Sequence, residues 1–181
     1  MLIAQAFLIR AKKYEIHRLV GKASYFVMPL LLFSFFLIAR SRYLNNIHVK
    51  HLSETDALAA LSRSGLPDIV YFSILYSLGI IYKNRPAWHL RFFTCIGLAI
   101  LGPGLGRFAF IHLGAPAAGA ILGLLFVGVP LIWLIVELIK KKSPVPMLIF
   151  LGISLFAGFM QGQGHSAWWQ SFAKFIAGHL F

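Results

Sequence analysis

The sequence predicts an all-α fold, an integral membrane helical bundle of five to six transmembrane helices, and three observations predict it. Of 181 residues, 59% are hydrophobic and 12% charged, whereas ordinary soluble domains hold about 45–50% and about 25%. Apolar runs recur at close to the ~20 residues that cross a ~30 Å hydrocarbon layer. The cations gather at the ends of those runs, where they act as topology signals. A chain of this length, with a mean hydropathy of +0.80, has room for those spans as a single transmembrane domain over residues 1–181, and none for a second, soluble one.

Charge narrows the partners. The 17 Lys and Arg against five acids give a net charge of +12, but they form no stripe interleaved with aromatics, so nucleic acid is not expected. The expected partners are the lipid bilayer and its anionic headgroups, then a second copy or another membrane protein. The sole cysteine, Cys95, lies in an apolar run, which excludes an intramolecular disulfide and suits a packing residue.

Taken in order, MLIAQAFLI supplies only a partial span over 2–9, about half the length a crossing needs. It reads as part of a short or truncated first helix, or as an interfacial leader. The basic segment 10–22 follows, and then a span over 23–39 whose Pro29 predicts a bend rather than a break. In the polar stretch 40–66, Ser53-Glu-Thr-Asp56 opens a short amphipathic surface helix with a variant capping box. Ala57, Leu58, Ala60 and Leu61 are its apolar positions, and Gly65-Leu66-Pro67 stops it. The third span covers 66–82, with Pro67 and Asp68 suited to a first turn.

A basic turn with Trp88 leads into the fourth span, 90–106, where Gly102-Pro103-Gly104 predicts either an end that leaves Arg107 at the outer lip or a bent continuation through Phe108 to Leu113 that draws Arg107 below the headgroups. The fifth span, 115–139, is the clearest in the chain at 25 residues, and three lysines close it. The sixth covers 145–162. The tail, 163–181, reads as an interfacial helix or short closing span with His165, Trp168, Phe172, Ile176 and His179 on one face.

Counting Lys and Arg puts eleven in the first, third and fifth connections and six in the second, the fourth and the tail. By the positive-inside rule the first set is cytoplasmic and the chain begins outside, a multi-pass arrangement.

Seven histidines are a high count for so apolar a chain, and imidazole is a common ligand for haem iron and divalent metals. On this topology His17 and His89 share the cytoplasmic side, a candidate pair for haem b. His48, His51 and His112 share the outer side as a candidate metal cluster, with His48 and His51 at i, i+3 on one helical face. The plainer reading is that interfacial imidazoles bond headgroups and loops, and no HExxH, CxxC or CxxCH is present. His165 and His179 share a face but stand about 21 Å apart along a helix, too far for one metal.

No carboxylate falls near mid-bilayer, which disfavours a proton relay. Glu137 has Lys140 and Lys141 at i+3 and i+4, an ordinary helix pair. The small-residue pairs Gly102/Gly106, Gly119/Gly123 and Gly158/Gly162 predict tight helix packing, chiefly by the fifth span. Ser, His and Asp form no triad, GxSxG is absent and no acids pair for glycoside chemistry, so soluble-style hydrolysis is not expected.

At His17-Arg18-Leu-Val-Gly21-Lys22, running into an aromatic-rich helix, residues 5–42 resemble a group of small, uncharacterised bacterial polytopic inner-membrane proteins with an H-R-x-x-G-[KR] helix entry. The resemblance implies a complete N-terminal helix, which the short opening run here does not supply. Some related families resemble membrane-embedded b-type cytochromes in placing histidines at helix ends. Two functions follow as expectations: a non-enzymatic membrane protein working by helix packing, partner binding or small-solute passage, or alternatively a haem- or metal-binding membrane redox component.

Overall fold

The computed structural model describes residues 2–63 and 65–181, and every regular element among them is helical. In chain order these are α1 (Leu2–Arg10), α2 (Tyr14–His48), α3 (Glu54–Ala60) with a 3-10 turn (Leu61–Arg63), and α4 (Leu66–Ile81) with a second one (Tyr82–Asn84). After them come α5 (Pro86–Leu113), α6 (Ala115–Gly123), a π-turn (Leu124–Gly128), α7 (Val129–Ile139), α8 (Val145–Gly162) and α9 (Ala167–Leu180). Five helical stretches among the described residues are long and apolar enough to cross a membrane: Tyr14–His48, Glu54–Asn84, Pro86–Leu113, Ala115–Ile139 and Val145–Gly162. The chain is a multi-pass membrane protein by that measure.

The helices outrun their apolar windows. At about 1.5 Å per residue, the 35 residues of α2 reach about 52 Å, while Lys22 and Arg40 bracket about 27 Å, close to a hydrocarbon thickness. Pro29 leaves α2 unbroken. The fifth span is continuous through its π-turn, where Val129 N–H bonds back to Leu124 O, five residues earlier. Pro130 follows directly and has no N–H to offer, so the wider turn absorbs the missing bond of the ladder.

The chain forms two compact units, Met1–Val70 with Met160–Phe181, and Tyr71–Phe159. In the first unit, Ser53 caps α3: its hydroxyl accepts from Asp56 N–H at 3.2 Å and lies 2.7 Å from Asp56 Oδ2. Ala57, Leu58 and Leu61 are buried as the spacing predicts, together with Ala59, whereas Ala60 is only half-buried. Leu58 and Leu61 join Ala39 of α2, Leu66 of α4 and Trp169 and Ala173 of α9 in one core. Gly65 turns the chain into α4 with φ +86°, and a Cβ there would stand 2.7 Å from Ala39 Cβ. Both the sign of φ and the close approach call for glycine.

The tail packs through a face that shares only Ile176 with the one read from the sequence. Trp169, Ala173, Ile176 and Ala177 are the residues that pack. Trp168, Phe172 and His179 of the predicted face are exposed. The tie that sets the face is polar: Trp169 Nε1 donates to Leu58 O at 3.0 Å, and Gln170 Nε2 donates to Thr55 O at 3.0 Å and Gly164 O at 2.6 Å. Periodicity alone does not separate two apolar faces of one helix.

In the second unit, α5 runs unbroken through Pro103 to Leu113, so the helix continues rather than ending at Pro103. Gly102 and Gly106 line the face of α5 that receives the fifth span, and a Cβ on Gly102 would fall 2.5 Å from Phe126 Cζ. On Gly106 it would fall 3.1 Å from Leu122 Cδ1. The tight packing therefore resides in the glycines of α5. Gly119, Gly123, Gly158 and Gly162 have nothing within 4 Å of a Cβ. Tyr71 of α4 sits edge-on to Phe126 and Phe150, and its hydroxyl lies 3.1 Å from Ser154 Oγ of α8.

Candidate functional site

The second unit buries two ionised side chains in contact. Arg91 is 8% exposed and Glu137 2% exposed. Proline at the first position starts α5 at Pro86, which brings Arg91 inside the helix rather than into the preceding turn. Glu137 belongs to the last turn of α7, since that helix ends at Ile139.

Arg91 Nε donates to Glu137 Oε1, and Arg91 Nη1 donates to Ala87 O at 2.8 Å on its own helix. Trp133, one turn before the acid, donates Nε1 to the same Oε1 at 3.0 Å. Glu137 Oε2 is buried with no hydrogen-bond partner among the described residues. Cys95, one turn beyond Arg91, is fully buried on the same helix.

Chemically, this arrangement fixes charge rather than moving it. Replacing Glu137 by an apolar residue would leave the Arg91 guanidinium buried without a counter-charge, which is costly in a low-dielectric interior. The pair also corrects the expected partners of Glu137. Lys140 caps α7 and Lys141 leaves the helix with φ +51°; both are exposed, and the ion pair of Glu137 is with Arg91. The sequence did carry a signal: Glu137 is the sole acid of the fifth span, and an acid within a span is expected to find a cation.

His17 is half-buried in the first unit, and its carbonyl accepts from Gln5 Nε2 at 3.2 Å. His89, in the second unit, donates Nδ1 to Gly79 O at 2.8 Å and packs on Phe93 with ring centroids 4.7 Å apart. His48 is the last residue of α2, and His51 lies beyond the helix end with φ +51°. They do not share the helical face that their i, i+3 spacing implied. His112, in the second unit, is exposed and rests against Phe108 at 4.6 Å. Among the described residues no group of three or more His, Cys, Asp or Glu is placed to hold a metal ion.

Arg107 is neither at a helix break nor buried: it is exposed on the unbroken α5. Its long side chain can snorkel toward the headgroups from about 9 Å inside the helix end. An open, basic concavity lies at the turn between α1 and α2, lined by Lys12, Lys13, Tyr14, Glu15, Ile16 and Arg18. Compared with family models, curated proteins and solved structures, the chain matches none.

Proposed function

We propose that this is a non-enzymatic integral membrane protein of a bacterial cytoplasmic membrane that works by helix packing and by binding a membrane partner. The observation that carries the reading is the division of labour inside the second unit. Its buried charges are committed to each other, while its most apolar span, Ala115–Ile139, has only 6% of its hydrophobic window buried by the chain itself. Leu131, Ile132, Ile135 and Ile139 are exposed along α7. A span that packs on α5 along one face and leaves its other side chains exposed is suited to meeting lipid or another helix. The H-R-x-x-G-[KR] entry supports the bacterial inner-membrane assignment.

Two experiments test it. Photocrosslinking residues introduced at Ile132 and Ile135 are expected to give a discrete protein adduct in native membranes; lipid adducts alone would defeat partner binding. An absorption spectrum and metal analysis of the detergent-purified protein address the haem and metal alternative, and a Soret band or stoichiometric metal would overturn the reading.

A further inference from the structure

Five cations gather at one end of the second unit with no acid left to neutralise them. Lys83 and Arg85 stand in the connection between α4 and α5, and Lys140, Lys141 and Lys142 follow α7; all five are exposed. Contact between Arg91, near the start of α5, and Glu137, near the end of α7, brings those two connections to the same end of the unit. Glu137 is the only acid between Tyr71 and Phe159, and the Arg91 pair consumes it. The helix starts of α5 and α8 lie in these same connections and add the positive ends of their dipoles.

A second observation identifies what answers this charge. Immediately beside the cations along the helices, the chain exposes aliphatic side chains: Ile81 at 67% and Ile139 at 75%. Tyr82, which follows Ile81 and precedes Lys83 in sequence, has its ring centroid 4.6 Å from that of Trp88, with the Arg85 guanidinium 5.8 Å and 5.6 Å from their centres. Cations outermost, aromatics at the boundary and aliphatics next in depth match a molecule with an anionic head and acyl chains. A soluble phosphate or a nucleic acid uses the first layer alone.

We propose that Lys83, Arg85 and Lys140–Lys142 form a headgroup site for an anionic phospholipid, with the Tyr82/Trp88 pair holding Arg85 at phosphate depth and Ile81 and Ile139 against the acyl chains. The site rests on the membrane-protein reading and gives that reading a specific lipid partner.

The test is native mass spectrometry of the full chain in detergent, with phosphatidylglycerol and phosphatidylcholine titrated in competition. Wild type retains phosphatidylglycerol preferentially. The variant K140Q/K141Q/K142Q loses at least tenfold of that preference, since each surface cation contributes about 1 kcal/mol toward an anionic lipid, or about fivefold. Variant K12Q/K13Q/R18Q, which removes three charges from the α1–α2 turn, keeps it. Equal loss in both variants means diffuse surface charge, and no loss in the first means no site; either outcome overturns the proposal. Complete displacement of phosphatidylglycerol by millimolar inorganic phosphate also overturns it, in favour of a soluble anion. A chain that stays in solution without detergent refutes the membrane reading itself, whereas a detergent-dependent chain without lipid preference refutes only this site. Because the substituted lysines are exposed, a circular-dichroism melt matching wild type verifies that folding is unchanged.

Discussion

Arg91 of α5 donates to Glu137 of α7, and this one contact binds two membrane-spanning segments near the same end. Removing either partner leaves an uncompensated buried charge, at a cost of about 3–5 kcal/mol, whereas replacing both with apolar groups of similar size is often neutral or stabilising. Arg91→Met and Glu137→Leu are each expected to lower stability by that amount in detergent, and the double variant R91M/E137L to recover most of it. Thermal melts of the four proteins close the cycle. Additive losses would show that the pair does not couple the helices.

The same contact bears on orientation. Lys141 lies in the connection after α7, on the side counted as cytoplasmic, and Lys174 lies in α9, on the side counted as outer. With Cys95 fully buried, the unmodified chain should label weakly. Lys141→Cys is expected to react with a membrane-impermeant maleimide only from the cytoplasmic side of sealed vesicles, and Lys174→Cys only from the other. Labelling of both from one side removes the topology.

Composition and run length made the spans legible, because a bilayer imposes one length and one polarity on whatever crosses it. The cap at Ser53 was equally readable, since its bond is to a neighbour three residues away. What escaped was long-range. Glu137 had cations nearby in sequence, and local spacing could not show that α7 ends before Lys141 or that α5 starts early enough to carry Arg91 inward. For the same reason the tail's packing face was missed: it is set by Leu58 O, 111 residues away in sequence, and not by the apolar pattern of α9. His48 and His51 show the converse, an i, i+3 spacing undone by a helix end between them.

Packing across α5 gives a prediction that separates equivalent-looking glycines. Gly102 meets the Phe126 ring, whereas Gly119 faces open space. Gly102→Leu is expected to cost about 1–3 kcal/mol or more through overpacking, and Gly119→Leu to stay within about 0.5 kcal/mol. Melting curves in detergent decide it, and similar shifts for the two would place the close approach elsewhere.

The tail offers the sharpest paired test, because its two neighbouring tryptophans occupy opposite situations. Trp169 is 1% exposed and donates to Leu58 O, while Trp168 is 47% exposed. Trp169→Phe keeps most of the ring but removes one bond to Leu58 O, which still accepts from Leu61 N–H, at about 0.5–1.5 kcal/mol. Trp169→Ala also opens a cavity, for a total of about 3–5 kcal/mol. The exposed Glu54–Lys174 pair, 3.3 Å apart, is worth too little to compensate. Local opening of α9 is therefore expected to rise in the order wild type, Trp169→Phe, Trp169→Ala, with Trp168→Phe indistinguishable from wild type. Hydrogen exchange of amides 167–180 measures that order directly; faster exchange in Trp168→Phe than in Trp169→Phe would mean that the tail is held by its outer face.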